Sequence, residues 1–159
     1  MKKKVEINDR NAKIILSSSK KGTKTKNSEY IFHISSYETG GKLSIYDVIF
    51  KKPGTRKNLH YHKILTETFT VLQGEFYFNI ENEEFTIGKN DSVVVPPLVV
   101  HGFRAKLPNS KLQIGFADSP NRDDFFIGLA KIVNGEWMLN ETEKEDFYNK
   151  YDQFNIKED

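Results

Sequence analysis

Two of the four histidines in this chain, His60 and His62, share the stretch Gly54 to Gly74 with a carboxylate, Glu67, and a third, His101, follows a second turn sequence. His60 and His62 are spaced His-x-His, and Glu67 follows His62 by five positions. Neutral imidazoles and a carboxylate suit first-row divalent metals, and because the chain has no cysteine, any metal must use N and O donors. Two histidines in a polar loop are ordinarily just exposed imidazoles. Here, however, all three stand where strand-like runs begin. The fourth, His33, sits in the apolar run Tyr30 to Ile34 with no carboxylate or second histidine at ligand spacing, and is read as structural.

The elements that must bring these residues together are short strands. Alternating or β-rich runs predict strands over 43–50, 68–72, 75–80, 84–87, 92–95, 102–105 and 111–117. Turn residues punctuate them: Gly40-Gly41, Pro53-Gly54, Gln73-Gly74, Glu81-Asn82, Gly88 to Asp91, Pro96-Pro97 and Pro108-Asn109. Many short strands at regular spacing argue for an all-β closed antiparallel barrel or double-sheet jelly roll. In an extended segment residues i and i+2 share a face, so His60 and His62 point together. Barrel closure then makes neighbours of strands distant in sequence, and Glu67 and His101 can converge on the pair.

Helix is expected only after Pro120. Residues 123–133 place Phe126, Leu129, Ala130 and Val133 on one face, with Asp123 and Asp124 near the start and Asn134-Gly135 at the end. Residues 141–154 space Phe147, Tyr151 and Phe154 three to four apart. These stripes are read as packing surfaces that seal one barrel face or dock on a second subunit. The chain therefore divides into a polar basic segment over 1–27, a barrel over 28–118 and a helical extension over 119–159. Within the first segment Ala12 to Leu16 is a possible edge strand, and Ser17 to Asn27 reads as a flexible loop.

A length of 159 residues fits one domain with a single core, and a formal charge of +2 gives no argument for nucleic acid. The charge is unevenly placed. Residues 1–26 hold nine Lys or Arg against two acids, whereas residues 118–159 hold eleven acids against five bases. Two solvated ends are the simpler reading, and mutual attraction is the sharper one. Met1-Lys-Lys-Lys resembles the start of a signal peptide, but Glu6, Asn8, Asp9 and Arg10 interrupt any apolar run. No stretch approaches the length of a membrane span. A soluble cytoplasmic protein is the expectation.

The motifs resemble those of the cupin superfamily. Gly54, His60, His62, Glu67 and Gly74 match every position of the first cupin motif, G-x5-H-x-H-x(3,4)-E-x6-G. The second, roughly G-x5-P-x-G-x2-H-x3-N, is present with departures. Seven residues separate Gly88 from Pro96, Leu98 stands where glycine is expected, and Ala105 stands for the asparagine, while His101 keeps its spacing from Pro96. The arrangement around these motifs is similar to small single-domain cupins related to quercetin dioxygenase. The resemblance implies a cupin-type antiparallel β-barrel (double-stranded β-helix) with a short α-helical C-terminal extension, and a homodimer. It also implies one divalent transition metal per chain (Fe, Mn, Ni, Cu or Zn), with His60, His62, Glu67 and His101 as ligands.

The function implied is a dioxygenase-like oxidoreductase acting on a small enolic or aromatic substrate, with Glu67 as both ligand and general base. Phe69 and Val71 share the face of Glu67, and Phe103 shares that of His101. They would either form an apolar substrate pocket or simply fill the barrel. One alternative is a redox-neutral isomerase, lyase or hydrolase acting on a sugar or small acid. It calls for a nearby cation, for which Arg56 and Arg104 are candidates, although Arg104 should point outward. Another alternative is a non-catalytic small-molecule-binding cupin. With no helix-turn-helix pattern in the chain, DNA binding is not expected.

Overall fold

A computed structural model describes residues 12–119 and 121–157. Eleven strands and two α-helices follow in order: β1 (Gly22–Lys24), β2 (Ser28–Ile34), β3 (Leu43–Phe50), β4 (His60–Tyr61), β5 (Thr66–Gln73), β6 (Glu75–Ile80), β7 (Glu83–Gly88), β8 (Ser92–Val95), β9 (His101–Ala105), β10 (Ser110–Ala117), α1 (Arg122–Val133), α2 (Glu141–Lys150) and β11 (Phe154–Asn155). The strands form two antiparallel sheets, ordered β1-β2-β3-β10-β5-β8 and β11-β4-β9-β6-β7. This is the expected all-β cupin architecture with a helical C-terminal extension.

Alternation explains the core. Tyr46 and Val48 of β3, Phe69 and Val71 of β5, Phe76 and Phe78 of β6, and Leu112, Ile114 and Phe116 of β10 all point inward and are buried. Each such side chain contributes about 1.5–3 kcal/mol by leaving water. Aromatic residues supply most of this volume, and their rings meet edge-on or tilted, as for Phe69 and Phe78 at 4.9 Å between centroids.

Three expectations are corrected. Residues 12–16 form no strand, and the edge strand is β1, inside the segment read as a loop. Its three residues pair with β2, Thr23 opposite Tyr30. The second helix stops at Lys150, not Phe154. Asp152 takes a left-handed backbone (φ 58°), which no helix continues through. The chain then turns back as β11, pairing Phe154 with Tyr61 and Asn155 with His60. The buried face of α1 is also rotated from the one expected. Phe125, Phe126 and Ala130 are buried, whereas Val133 is 60% exposed.

The start of α1 is fastened to the barrel through Asp123. Its carboxylate accepts from the hydroxyls of Tyr46 and Ser35, from the Ser36 amide at 3.1 Å and from the Ser36 hydroxyl at 3.2 Å. A buried carboxylate is tolerated only when it is satisfied in this way. Helix α2 begins with a capping box between Asn140 and Glu143. It packs by stacking Phe147 on Phe125, 5.7 Å between centroids.

Candidate metal centre

Barrel closure does what the spacing required. His60 on β4 lies directly opposite His101 on β9 in one sheet. Glu67 enters from β5 of the other sheet, pointing inward in the same alternation as Phe69 and Val71. His62 follows β4 by one residue. The four side chains are buried, and one ligand atom from each lies within 4.8 Å of all the others. Glu67 Oε2 is 2.8 Å from His101 Nε2, 3.0 Å from His62 Nε2 and 4.0 Å from His60 Nε2.

The other ring nitrogens fix the chemistry. His60 Nδ1 donates to the Asn58 carbonyl at 2.7 Å, His101 Nδ1 to the Val99 carbonyl at 2.9 Å and His62 Nδ1 to the Asp152 carbonyl at 2.5 Å. With Nδ1–H committed to a carbonyl, neutral imidazole carries a lone pair on Nε2. Three such lone pairs then face a carboxylate. Acceptors at 2.8–3.0 Å repel unless a cation or a proton sits between them, so the donor set fits a divalent metal held by three Nε2 atoms and Glu67.

Electrostatics agree. Burial, reinforced by charge on His101, pushes His60 down to about 3, which keeps it neutral. Without a metal, protons take the cation's place: burial alone would raise the Glu67 carboxyl, but hydrogen bonds from protonated His101 and His62 outweigh it and hold Glu67 below its ordinary range. His101 moves the other way. Burial would lower it, yet its hydrogen bond to Glu67 raises it.

Backbone features hold the loops in place. A Cβ on Gly102 would lie 2.2 Å from the Lys57 carbonyl oxygen and 3.0 Å from that of Asn58. The lack of a side chain thus lets the loop carrying the His60 acceptor press against β9. Leu98, where the motif expects glycine, adopts the left-handed backbone itself (φ 71°), and its amide donates to the His62 carbonyl at 2.7 Å. The turn shape survives the loss of the glycine.

Two supporting residues carry no local signal in the sequence. The Asp152 carboxylate accepts from the amides of Lys63 and Ile64 at 2.9 Å and of Leu65 at 3.0 Å, fixing the turn between His62 and Glu67. Arg122, at the start of α1, is buried and donates to the Tyr151 carbonyl and to Gln153 Oε1, both at 3.1 Å. The C-terminal extension therefore braces the centre.

Other candidates lie apart from it. Arg104 pairs with Glu84 at 2.8 Å and covers Tyr77, so it points away from the interior. Arg56 is exposed. His33 Nε2 lies 2.8 Å from Asp47, a carboxylate supplied by the neighbouring strand and also paired with Lys111 at 2.8 Å. Phe69, Phe78 and Phe103 pack on one another at 4.9–5.4 Å, filling the barrel beside His101. No helix among the described residues is long and apolar enough to cross a membrane.

Comparison with known proteins agrees with this geometry. Residues 49–108 match Cupin_2, the cupin domain, a span that contains all four candidate ligands. An uncharacterized protein of Methanocaldococcus jannaschii, MJ1618, is 30% identical over 71 residues, covering 45% of this chain and 55% of its own length. The matched segment thus spans about half of that relative. KdgF from a Halomonas species superposes with a TM-score of 0.60 at 21% identity, over 72% of this chain and 98% of that one. Pac13, a nucleoside dehydratase of Streptomyces, superposes with a TM-score of 0.54 at 12% identity, over 72% and 88% of the two chains. At these identities the structural likenesses show a shared fold. Together with the domain match, they support the cupin superfamily.

Proposed function

We propose that this chain is a metal-dependent enzyme acting on a small molecule. The reading rests on one observation: three imidazoles, each oriented through Nδ1 by a carbonyl, aim Nε2 at the same carboxylate oxygen. His60, His62, His101 and Glu67 would hold the metal, which when bound supplies Lewis acidity toward a substrate oxygen. Glu67 stays ionised and is available to take a substrate proton. The buried wall of β5, β9 and β10 keeps bulk water from that carboxylate, which strengthens every charge interaction beside it.

Two reaction classes use this set. Dioxygenase-like oxidation of an enolic or aromatic compound, as in the quercetin dioxygenase-related cupins, draws on an apolar pocket near the metal. Redox-neutral elimination, isomerisation or decarboxylation of a sugar or small acid does not. The phenylalanines beside His101 fill the barrel, and this observation moves our preference to the redox-neutral class. The nucleoside dehydratase that shares this fold performs chemistry of that kind. A homodimer and a cytoplasmic location belong to the same reading.

The test is metal content per chain by plasma mass spectrometry on untagged protein, followed by an oxygen-uptake screen with flavonols. Near-stoichiometric metal without oxygen uptake is expected. No metal, even after soaking, rejects the enzyme reading and leaves a binding module. Metal-dependent oxygen uptake restores the dioxygenase.

A further inference from the structure

Arg122 is a buried cation, only 2% exposed, that makes no ion pair among the described residues. Its two acidic neighbours are engaged elsewhere: Asp123 with Ser35, Ser36 and Tyr46, and Asp124 with the Tyr37 hydroxyl at 2.7 Å. Its partners are a backbone carbonyl, a glutamine oxygen and aromatic faces, with Phe125 at 3.7 Å and Phe116 at 4.4 Å from the guanidinium carbon. Nε–H is buried and has no partner. An unsatisfied buried donor costs about 1–3 kcal/mol, and a buried charge without a counter-ion costs more.

Arg122 stands one residue removed from the metal centre along two routes. Phe116, on which it stacks, is the cross-strand neighbour of Glu67. Tyr151, whose carbonyl it takes, adjoins Asp152, whose carbonyl takes His62 Nδ1. The charge of Glu67 does not balance the site, because a divalent cation with one carboxylate is still positive. Adding Arg122, even against the nearby Asp152 carboxylate, leaves the site positive inside a largely aromatic enclosure. An anion is the missing component. One free N–H amid phenylalanine faces suits a carboxylate oxygen, whereas a phosphate would want several donors.

Resting on the metal centre proposed above, we propose that Arg122 is a substrate-binding residue whose Nε–H receives a carboxylate, so that the substrate is a small carboxylate-bearing compound. This is compatible with either reaction class, since it concerns the charge of the ligand and not the fate of its bonds.

The test is calorimetric titration of the full chain, loaded with Co(II), using pyruvate, its neutral amide pyruvamide and inorganic phosphate as probes. Wild type should bind pyruvate at least about tenfold more tightly than pyruvamide, the scale of a charge-assisted hydrogen bond. Arg122→Met should erase that preference while keeping its cobalt, and Arg122→Lys, which retains charge but not Nε, should fall between. Equal affinity for pyruvate and pyruvamide in wild type overturns the proposal, as does unchanged pyruvate binding in Arg122→Met. Tighter, Arg122-dependent phosphate binding overturns the carboxylate assignment. A purely structural clamp would lower the melting temperature of Arg122→Met and leave the pyruvate preference as in wild type, which overturns the proposal. If Arg122→Met does not fold, Arg122→Lys decides: a pyruvate preference unchanged from wild type overturns the proposal. If the chain takes up no cobalt, the metal reading fails separately. The metal-free titration then decides the role of Arg122 by the same preference.

Discussion

The Nδ1–H of His62 donates to the backbone carbonyl of Asp152 at 2.5 Å, joining residues 90 positions apart. A candidate ligand from the barrel motif thus takes its orientation from the C-terminal extension. The Asp152 carboxylate at the same time holds the amides of residues 63–65. One residue therefore sets both the ring of His62 and the turn that leads to Glu67.

Asp152→Gly isolates this role, because glycine accepts the left-handed backbone and keeps the carbonyl while removing the carboxylate. Three amides lose their acceptor, two of them beside exposed side chains where water can replace it. A loss of about 2 kcal/mol is expected in denaturant unfolding. Metal affinity should fall about tenfold in a chelator competition, the usual scale for disturbing an outer partner of a ligand. Unchanged affinity would mean that the turn is rigid without its brace.

His62→Ala and Glu67→Gln separate ligand from base. His62 is 2% exposed and has no substitute nearby, so His62→Ala should lose most bound metal by plasma mass spectrometry. Glu67→Gln keeps an oxygen donor but no negative charge. It should retain appreciable metal yet lose turnover, once a substrate is in hand. Equal loss of metal in both variants would leave Glu67 as a ligand only.

The centre was legible because its signal is local. Ligand spacing, strand alternation and turn residues each act within a few positions, and closure of the barrel does the rest. The same locality hid the supports. Arg122 and Asp152 are ordinary charged residues in an acidic tail, and their roles depend on how that tail folds back. Phe147, Tyr151 and Phe154 keep helical spacing past the point where Asp152 breaks the helix, so spacing alone overstates the length of α2. Phe154 instead stacks on Tyr61 at 5.3 Å between centroids, serving a strand. His33 pairs with Asp47 from the adjacent strand, a partner that spacing along the chain cannot reveal.

Leu98 offers a stabilising change. It stands at φ 71° with its side chain 67% exposed, so it bears left-handed strain and contributes little packing. Left-handed backbone costs an L-residue roughly 1–2 kcal/mol, of which glycine returns part through its freer unfolded state. Leu98→Gly should gain about 0.5–1 kcal/mol in chemical denaturation. A loss would show that Leu98 makes contacts worth more than the strain.

Acid should weaken the metal-free protein in two stages. Burial lowers His60 to about 3 from the ordinary 6.5, so the unfolded chain binds a proton that the fold refuses. Stability is then intact above pH 6.5 and falls as pH drops toward 3. Glu67, also lowered, adds its share below its ordinary 4.5, where the unfolded carboxyl protonates first. His101 has the opposite sign. Its raised pKa gives stability that is present below 6.5 and is lost only as pH rises through its folded value. Between pH 6.5 and 4.5, His101 is therefore protonated in both states, and among these three residues the slope belongs to His60. Urea unfolding at steps from pH 7 to 4 should show a falling midpoint. In His60→Gln the decline above pH 4.5 should flatten. An identical decline in that variant would place the acid sensitivity elsewhere in the fold.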